Sequence, residues 1–280
     1  MSTIPGVSLL VLGPPNAGKS TLARKALEAE GGGYVMLAPG HDEYASYRMF
    51  KDNPQYIIRG YDDPEFFPQA NEFKVEGFDR LIKELREAYA FLQAHPPGTE
   101  GGATAKVLVT DTFNSMSTLA MNKTYAKFKR SEAPPAMSPD GAAFWTYYRN
   151  LQESLMRICR AIRGCGLHWV ATCHVAEKEM KEFGTANPEQ ASSKAAGLVP
   201  AISGGFRDVF PAAFDLVLYA GVRKAVQKQP DGKEVPVTQH YLRWQPDPKR
   251  PTKSRYGSLG ASGIIPNDWE GLMVKLEEAA

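Results

Sequence analysis

Cysteine is scarce in this chain, long apolar runs are missing, and neither sign of charge prevails. The three cysteines, Cys159, Cys165 and Cys173, are an odd number with no short paired C-x-x-C spacing. That argues against a disulfide framework, and against zinc even with His168 and His174 nearby. No apolar run approaches the ~20 residues needed to span a bilayer. The first residues lack a basic start and a small-residue cleavage site, so the expectation is a cytoplasmic protein with no membrane partner. Lys and Arg number 33 against 31 Asp and Glu, a net charge of +2. Any nucleic-acid binding must therefore come from local patches. No internal repeat with a period of roughly 20 to 50 residues is present. A chain of 280 residues can bury one large core, and the expectation is one domain over 1–280, with its core at about 7–257.

What is present begins near the start. Gly13, Pro14, Pro15, Asn16, Ala17, Gly18, Lys19 and Ser20 spell G-x-x-x-x-G-K-[ST]. Val7 to Leu12 is an apolar run, interrupted only by Ser8, that suits a buried strand. From Thr21 the pattern is helical, with Leu22, Ala23, Ala26 and Leu27 for an inner face. A strand, a glycine loop and a helix start in that order point several backbone N–H groups at one spot, where they and the helix dipole cradle a phosphate. Lys19 reaches the β- and γ-phosphates, and the Ser20 hydroxyl helps hold Mg²⁺. Gly13 to Thr21 is thus the expected nucleotide-binding stretch.

Further along, Tyr34 to Leu37 predicts a short strand and Gly77 to His95 a helix, with Leu81, Leu85, Ala88 and Leu92 at helical spacing. Val107 to Val109 predicts a strand that leads to Asp111. Residues Asn122 to Gly141 read as a polar, basic stretch. Trp145 to Arg163 is a helix with Leu151, Leu155, Ile158 and Ile162 on one side, stopped by Gly164. Leu167 to Thr172 predicts another strand, and 175–206 a long loop with a short helix. Phe214 to Ala220 is a strand. Val222 to Gln227 and Val235 to Trp244 flank Pro230-Asp231-Gly232, a hairpin signal. Asn267 can cap a terminal helix at about 266–278, carrying Trp269, Leu272 and Leu276. Strands that are apolar throughout fit a mostly parallel sheet buried on both faces between helices, here with a late antiparallel hairpin: an α/β fold.

Three more positions bear on chemistry. Asp111, at the end of an apolar strand, is the expected acid beside Mg²⁺. Thr112 follows it, so the general base must come from elsewhere near the γ-phosphate. Asp42 and Glu43 are the candidates, with Glu43 favoured. His174, after the strand that ends in Cys173, either senses the γ-phosphate or is a hydrogen-bonded strand end.

With Lys253-Ser254-Arg255-Tyr256-Gly257 after the hairpin, the layout resembles the RecA-like P-loop ATPases, including RadA-type recombinases and hexameric replicative helicases. Leu198 to Gly204, Phe214 to Tyr219, and Leu242-Arg-Trp leading to Lys253 and Arg255 resemble more closely the phage nucleotide-binding ATPases of the single-strand annealing and recombination group. The resemblance implies ATP with Mg²⁺, hydrolysis, and a homo-oligomer in which Lys253 and Arg255 act as cationic fingers at a neighbour's nucleotide. Such an arginine is worth roughly 10³–10⁵ in rate. The alternative is that both are solvated loop charges or contacts to nucleic acid. The resemblance also implies single-stranded DNA as partner, with a single-strand DNA-binding protein beside it, in the host cytoplasm if phage-encoded. DNA would lie at the carboxyl ends of the strands. One long loop there carries Lys123, Tyr125, Lys127, Phe128, Lys129 and Arg130. A second carries Lys178, Lys181, Phe183 and Lys194, tempered by Glu177, Glu179, Glu182 and Glu189. Cations with interleaved aromatics suit a single strand. A nucleotide-type kinase and an ATP-gated assembly factor with little hydrolysis stand as the other readings.

Overall fold

The computed structural model describes residues 6–39, 44–70, 72–178, 197–228, 234–245, 247, 249–260 and 262–279. Six parallel strands form its centre: β1 (Ser8–Gly13), β2 (Gly33–Leu37), β3 (Tyr56–Gly60), β6 (Val107–Asp111), β7 (His168–Lys178) and β9 (Leu216–Lys228). The short β4 (Phe66–Phe67) and β5 (Glu72–Phe73) pair separately. Antiparallel strands complete the sheet: β8 (Gly197–Pro200) on β7, β10 (Glu234–Arg243) and β11 (Lys253–Ser254) on β9, and β12 (Ile264–Pro266) on β10. The order across the sheet is β12-β10-β9-β1-β7-β6-β2-β3.

β1 sits centrally and every one of its residues is buried. That is why Leu9 to Leu12 read as a continuous apolar run rather than an alternating one. Its side chains still alternate in direction. Leu10 and Leu12 join a core under the helices α2 (Gly77–Ala94), α3 (Phe113–Phe128) and α4 (Pro139–Gly164). Leu9 and Val11 join a second core, on the other face, under α1 (Lys19–Glu30) and α6 (Trp269–Ala279). A four-residue α5 (Phe206–Val209) follows β8.

Local chemistry sets the helix ends. Gly31, at φ 78°, closes α1 with its N–H on the Leu27 carbonyl. Ser138 caps α4 by accepting the Gly141 N–H at 3.0 Å, and Pro139 takes the first position, where no N–H is needed.

Three expectations are corrected. The stretch from Asn122 is not all loop, because Asn122 to Phe128 is the second half of α3. Its inner face includes Ser117 and Thr124, which weakens the apolar period; the Thr124 hydroxyl donates to the Ala120 carbonyl at 2.8 Å. β7 runs on to Lys178 and pairs with β8, so 175–178 and 197–200 are strand. Asn267 does not cap α6. Asp268 does, accepting the Gly271 N–H at 2.9 Å.

Candidate nucleotide site

Gly13 ends β1 because the chain there runs against β9: a Cβ on Gly13 would lie 2.6 Å from the Ala220 carbonyl oxygen. The loop then turns through Asn16 and Gly18, both at positive φ (61° and 89°), into α1. These turns leave the first N–H groups of α1 without helical partners, facing a cleft of about 510 Å³. Pro15, Asn16, Gly18, Lys19, Ser20 and Thr21 line one side of it. Ser46, Thr112, His174 and His240 line the rest.

Lys19 is buried. Its Nζ donates to the Gly13 carbonyl at 3.1 Å and the Pro14 carbonyl at 2.8 Å, and lies 3.1 Å from His174 Nδ1. The strand register explains the third contact, since Gly13 and His174 are partners across β1 and β7. An ammonium has no acceptor capacity, so Nδ1 accepts and the ring proton sits on Nε2. Burial, then the Lys19 charge, holds the His174 imidazole below the usual histidine range, against opposing pulls from Asp111 and the Gly13 backbone. The ring is therefore neutral at pH 7. Asn114, in the first turn of α3, fixes the strand end by accepting the His174 N–H at 3.1 Å.

Asp111 is fully buried. Its Oδ2 accepts the Tyr47 hydroxyl at 2.7 Å, and its Oδ1 accepts the Thr172 hydroxyl. Two of its lone-pair positions are thus used for aiming, and others remain. Thr112 turns away from the acid, with its N–H on the Ala38 carbonyl at 3.1 Å and its hydroxyl 2.9 Å from Ser115 Oγ. The Ser20 hydroxyl and the Asp111 carboxylate are oxygen donors of the kind Mg²⁺ prefers, but Ser20 lines the cleft whereas Asp111 is fully buried beside it and does not. When bound, that ion neutralises phosphate charge.

The remaining expected site residues lie elsewhere. Glu43 and Lys181 fall outside the described residues, and only the backbone of Lys178 falls within them. Lys253 and Arg255 lie at the opposite end of the parallel strands from the phosphate loop. Lys253 pairs across to Val217, near the start of β9. Its Nζ donates to the carbonyls of Ala212 (3.0 Å) and Phe214 (2.7 Å). Arg255 NH1 lies 3.0 Å from Asp215 Oδ1. Lys253 is thus tied to backbone carbonyls, and Arg255 is exposed but ion-paired.

The basic segment is also differently arranged from expectation. Lys123 pairs with Asp79, and Arg130 with Asp140 at 2.8 Å. Phe128 packs against Phe144 and Tyr147, and Tyr125 against Phe66 and Phe144. These rings are spent on helix packing. Lys127 and Lys129 are exposed, with no ion pair among the described residues.

Sequence reasoning missed Tyr47, Thr172, Asn114, His240 and Asn267. Thr172 was the one with a local signal, a lone hydroxyl inside an apolar strand next to Cys173. Tyr47 comes from a 3₁₀ turn with no periodicity to read, His240 from β10, Asn114 from the first turn of α3 and Asn267 from the link between β12 and α6.

Strand order, loop, buried lysine and a strand-end aspartate together define a P-loop NTPase of α/β type, a nucleotide-binding domain. A family model described as AAA domain matches residues 6–256. The chain belongs to that family. Among curated proteins none matches it. Among the described residues, no helix is long and apolar enough to cross a membrane.

Proposed function

We propose that this protein is an ATP-dependent, single-stranded-DNA-binding protein of RecA-like type, acting in phage-type recombination or annealing and hydrolysing ATP at subunit interfaces. The observation that carries the ATPase part is the Lys19–His174 contact at 3.1 Å inside the cleft. A cation parked on two loop carbonyls and a neutral imidazole is ready to transfer to phosphate oxygens, which are stronger acceptors. His174 is then left with its Nε2–H as a donor for the γ-phosphate. Because His174 opens the stretch of β7 that pairs with β8, a change at the phosphate passes directly into β8. Ser20 and Asp111 hold Mg²⁺, Glu43 orients the water, and Lys253 and Arg255 serve a neighbouring copy. The DNA part of the reading is supported by the exposed Lys127 and Lys129 and by the family resemblance in the sequence.

One observation favours a second reading, an ATP-gated assembly factor with little hydrolysis. Among the described residues lining the cleft there is no carboxylate, so a base has to be brought in from outside them.

The test is ATP turnover with and without a single-stranded oligonucleotide. Stimulation by DNA, abolished by Lys19→Ala, is expected. Stimulation by a nucleoside monophosphate instead indicates a kinase. Tight Mg·ATP binding with no turnover under either condition indicates the assembly factor.

A further inference from the structure

Asn267 touches the phosphate loop from 249 residues away. Its Nδ2 donates to the Gly18 carbonyl at 2.9 Å. The same oxygen accepts the Leu22 N–H at 3.1 Å, the first helical bond of α1. The Gly18 carbonyl and the Lys19 N–H belong to one planar trans peptide and point in opposite directions. Whatever fixes the carbonyl therefore fixes the aim of the Lys19 N–H, which belongs to the first turn of α1 beside the cleft.

The approach is close. A Cβ on Gly18 would lie 2.3 Å from Asn267 Nδ2 and 3.1 Å from His240 Nδ1. Glycine is thus required twice over, for its positive φ and for this contact. Asn267 is itself held from behind, where Lys25 Nζ donates to its carbonyl at 2.9 Å. It is buried, and its Oδ1 has no hydrogen-bond partner among the described residues. Packing alone gives no reason for a half-satisfied amide here. Nor does α6 need it as a cap, because Asp268 fills that place. Trp269, Leu272 and Leu276 already anchor α6 in the core shared with α1.

We infer that Asn267 is a positioning residue for the nucleotide site: its amide holds the Gly18–Lys19 peptide so that the loop is preset for phosphate. The inference deepens the nucleotide-binding reading and rests on it. Presetting raises affinity because a loop already aimed loses less freedom on binding.

The experiment uses the full chain, with Mg·ATP binding by titration calorimetry at 10 °C and thermal unfolding without nucleotide. Wild-type protein comes first. No heat of binding there overturns the nucleotide reading, and this inference with it. With wild-type binding in hand, Asn267→Ala should weaken Mg·ATP by roughly five- to ten-fold, the worth of one such bond. Its nucleotide-free Tm should stay within about 2 °C. Asn267→Asp keeps the size but cannot donate and sets a carboxylate against the Gly18 carbonyl, so it should bind more weakly than the alanine variant. Should both fail to fold, Lys25→Met loosens the grip on Asn267 from the surface and should cost about two-fold or more. Affinity within two-fold of wild type in the folded variants overturns the inference even if Tm falls, since that is the behaviour of a purely structural contact.

Discussion

Arg255 and Asp215 form an ion pair, 3.0 Å from NH1 to Oδ1, at the end of the sheet farthest from the phosphate loop. Asp215 also receives Arg163 NH2 at 2.7 Å, the Ser8 hydroxyl at 2.7 Å and the Ser8 N–H at 3.1 Å. The cluster ties the starts of β1 and β9 to α4 and β11. Burial works against the Asp215 charge, but these donors and cations outweigh it and hold the carboxyl below its ordinary value.

Removing Arg255 should cost little stability and removing Asp215 much more. The Arg255 side chain is 56% exposed and that of Asp215 only 10%. Arg255→Ala loses about 1 kcal/mol, or about 2–4 °C in Tm. Asp215→Ala leaves Arg163 and the Ser8 N–H without their acceptor and should cost about 3 kcal/mol. Denaturant melts check both, and equal losses would mean that the carboxylate is not the hub.

The exposed part of Arg255 is what a neighbouring subunit can meet. Mixed Arg255→Ala and Lys19→Ala proteins should therefore recover ATPase activity that neither shows alone. The mixture contains sites with an intact lysine from one subunit and an intact arginine from the other. No recovery at any mixing ratio removes the shared site, and Arg255 is then structural only.

His174 should control turnover more than binding. His174→Ala removes the acceptor for Lys19 and the donor proposed for the γ-phosphate, so kcat should fall roughly 10²-fold. Mg·ATP affinity, carried mainly by loop amides and Lys19, should change by less than about five-fold. Calorimetry beside steady-state kinetics separates the two. A large affinity loss with unchanged kcat would falsify the sensing role.

Sequence carried the site wherever the chemistry is local. The run from β1 through the loop into α1, Asp111 at the end of β6 and His174 after the apolar part of β7 each depend on neighbours within a few residues. It failed where partners are distant. The inner face of α3 was obscured by Ser117, whose hydroxyl lies 2.6 Å from the Tyr148 hydroxyl and accepts the Gln152 amide at 2.6 Å. A helix that buries polar groups against another helix shows no apolar stripe to read. β8 is a strand because β7 is beside it, and Lys253 and Arg255 acquire meaning only from Asp215. No spacing rule reaches across such separations.

Two lysines, not four cations, should carry the DNA contact of α3. Lys123 and Arg130 are paired with acids, whereas Lys127 and Lys129 are exposed. For single strands the log–log salt slope changes by about 0.7 per phosphate contact, so the double Lys127→Ala, Lys129→Ala variant should flatten it by about 1.4. Lys123→Ala should leave it nearly unchanged. Fluorescence anisotropy with a labelled oligonucleotide at several salt concentrations decides. An unaltered slope in the double variant takes this segment out of the interface.

Acid should destabilise the protein first through the buried His168 and the half-buried His174. His168 Nδ1 accepts the Val7 N–H at 3.1 Å, which leaves the ring proton on Nε2, facing Glu30 at 3.8 Å. Protonating Nδ1 would set two N–H groups against each other. Burial holds His168 below its ordinary value of 6.5, with Arg163 and Lys106 adding to the effect and Glu30 opposing it. His174 is shifted the same way. A histidine lowered in the folded state contributes full stability above 6.5, where both states are neutral. As pH falls below 6.5 the unfolded chain takes up protons that the fold refuses, and stability drains until the lower folded value is passed. Asp215 acts likewise in a lower window, below its ordinary 3.8. Nucleotide-free Tm should thus be level above pH 6.5 and decline toward pH 5. His168→Gln offers Val7 an acceptor that does not titrate in this range, so its decline should be shallower, with the His174 share remaining. An identical slope in the variant would show that the His168 site admits the proton at little cost, against the geometry of its Val7 contact.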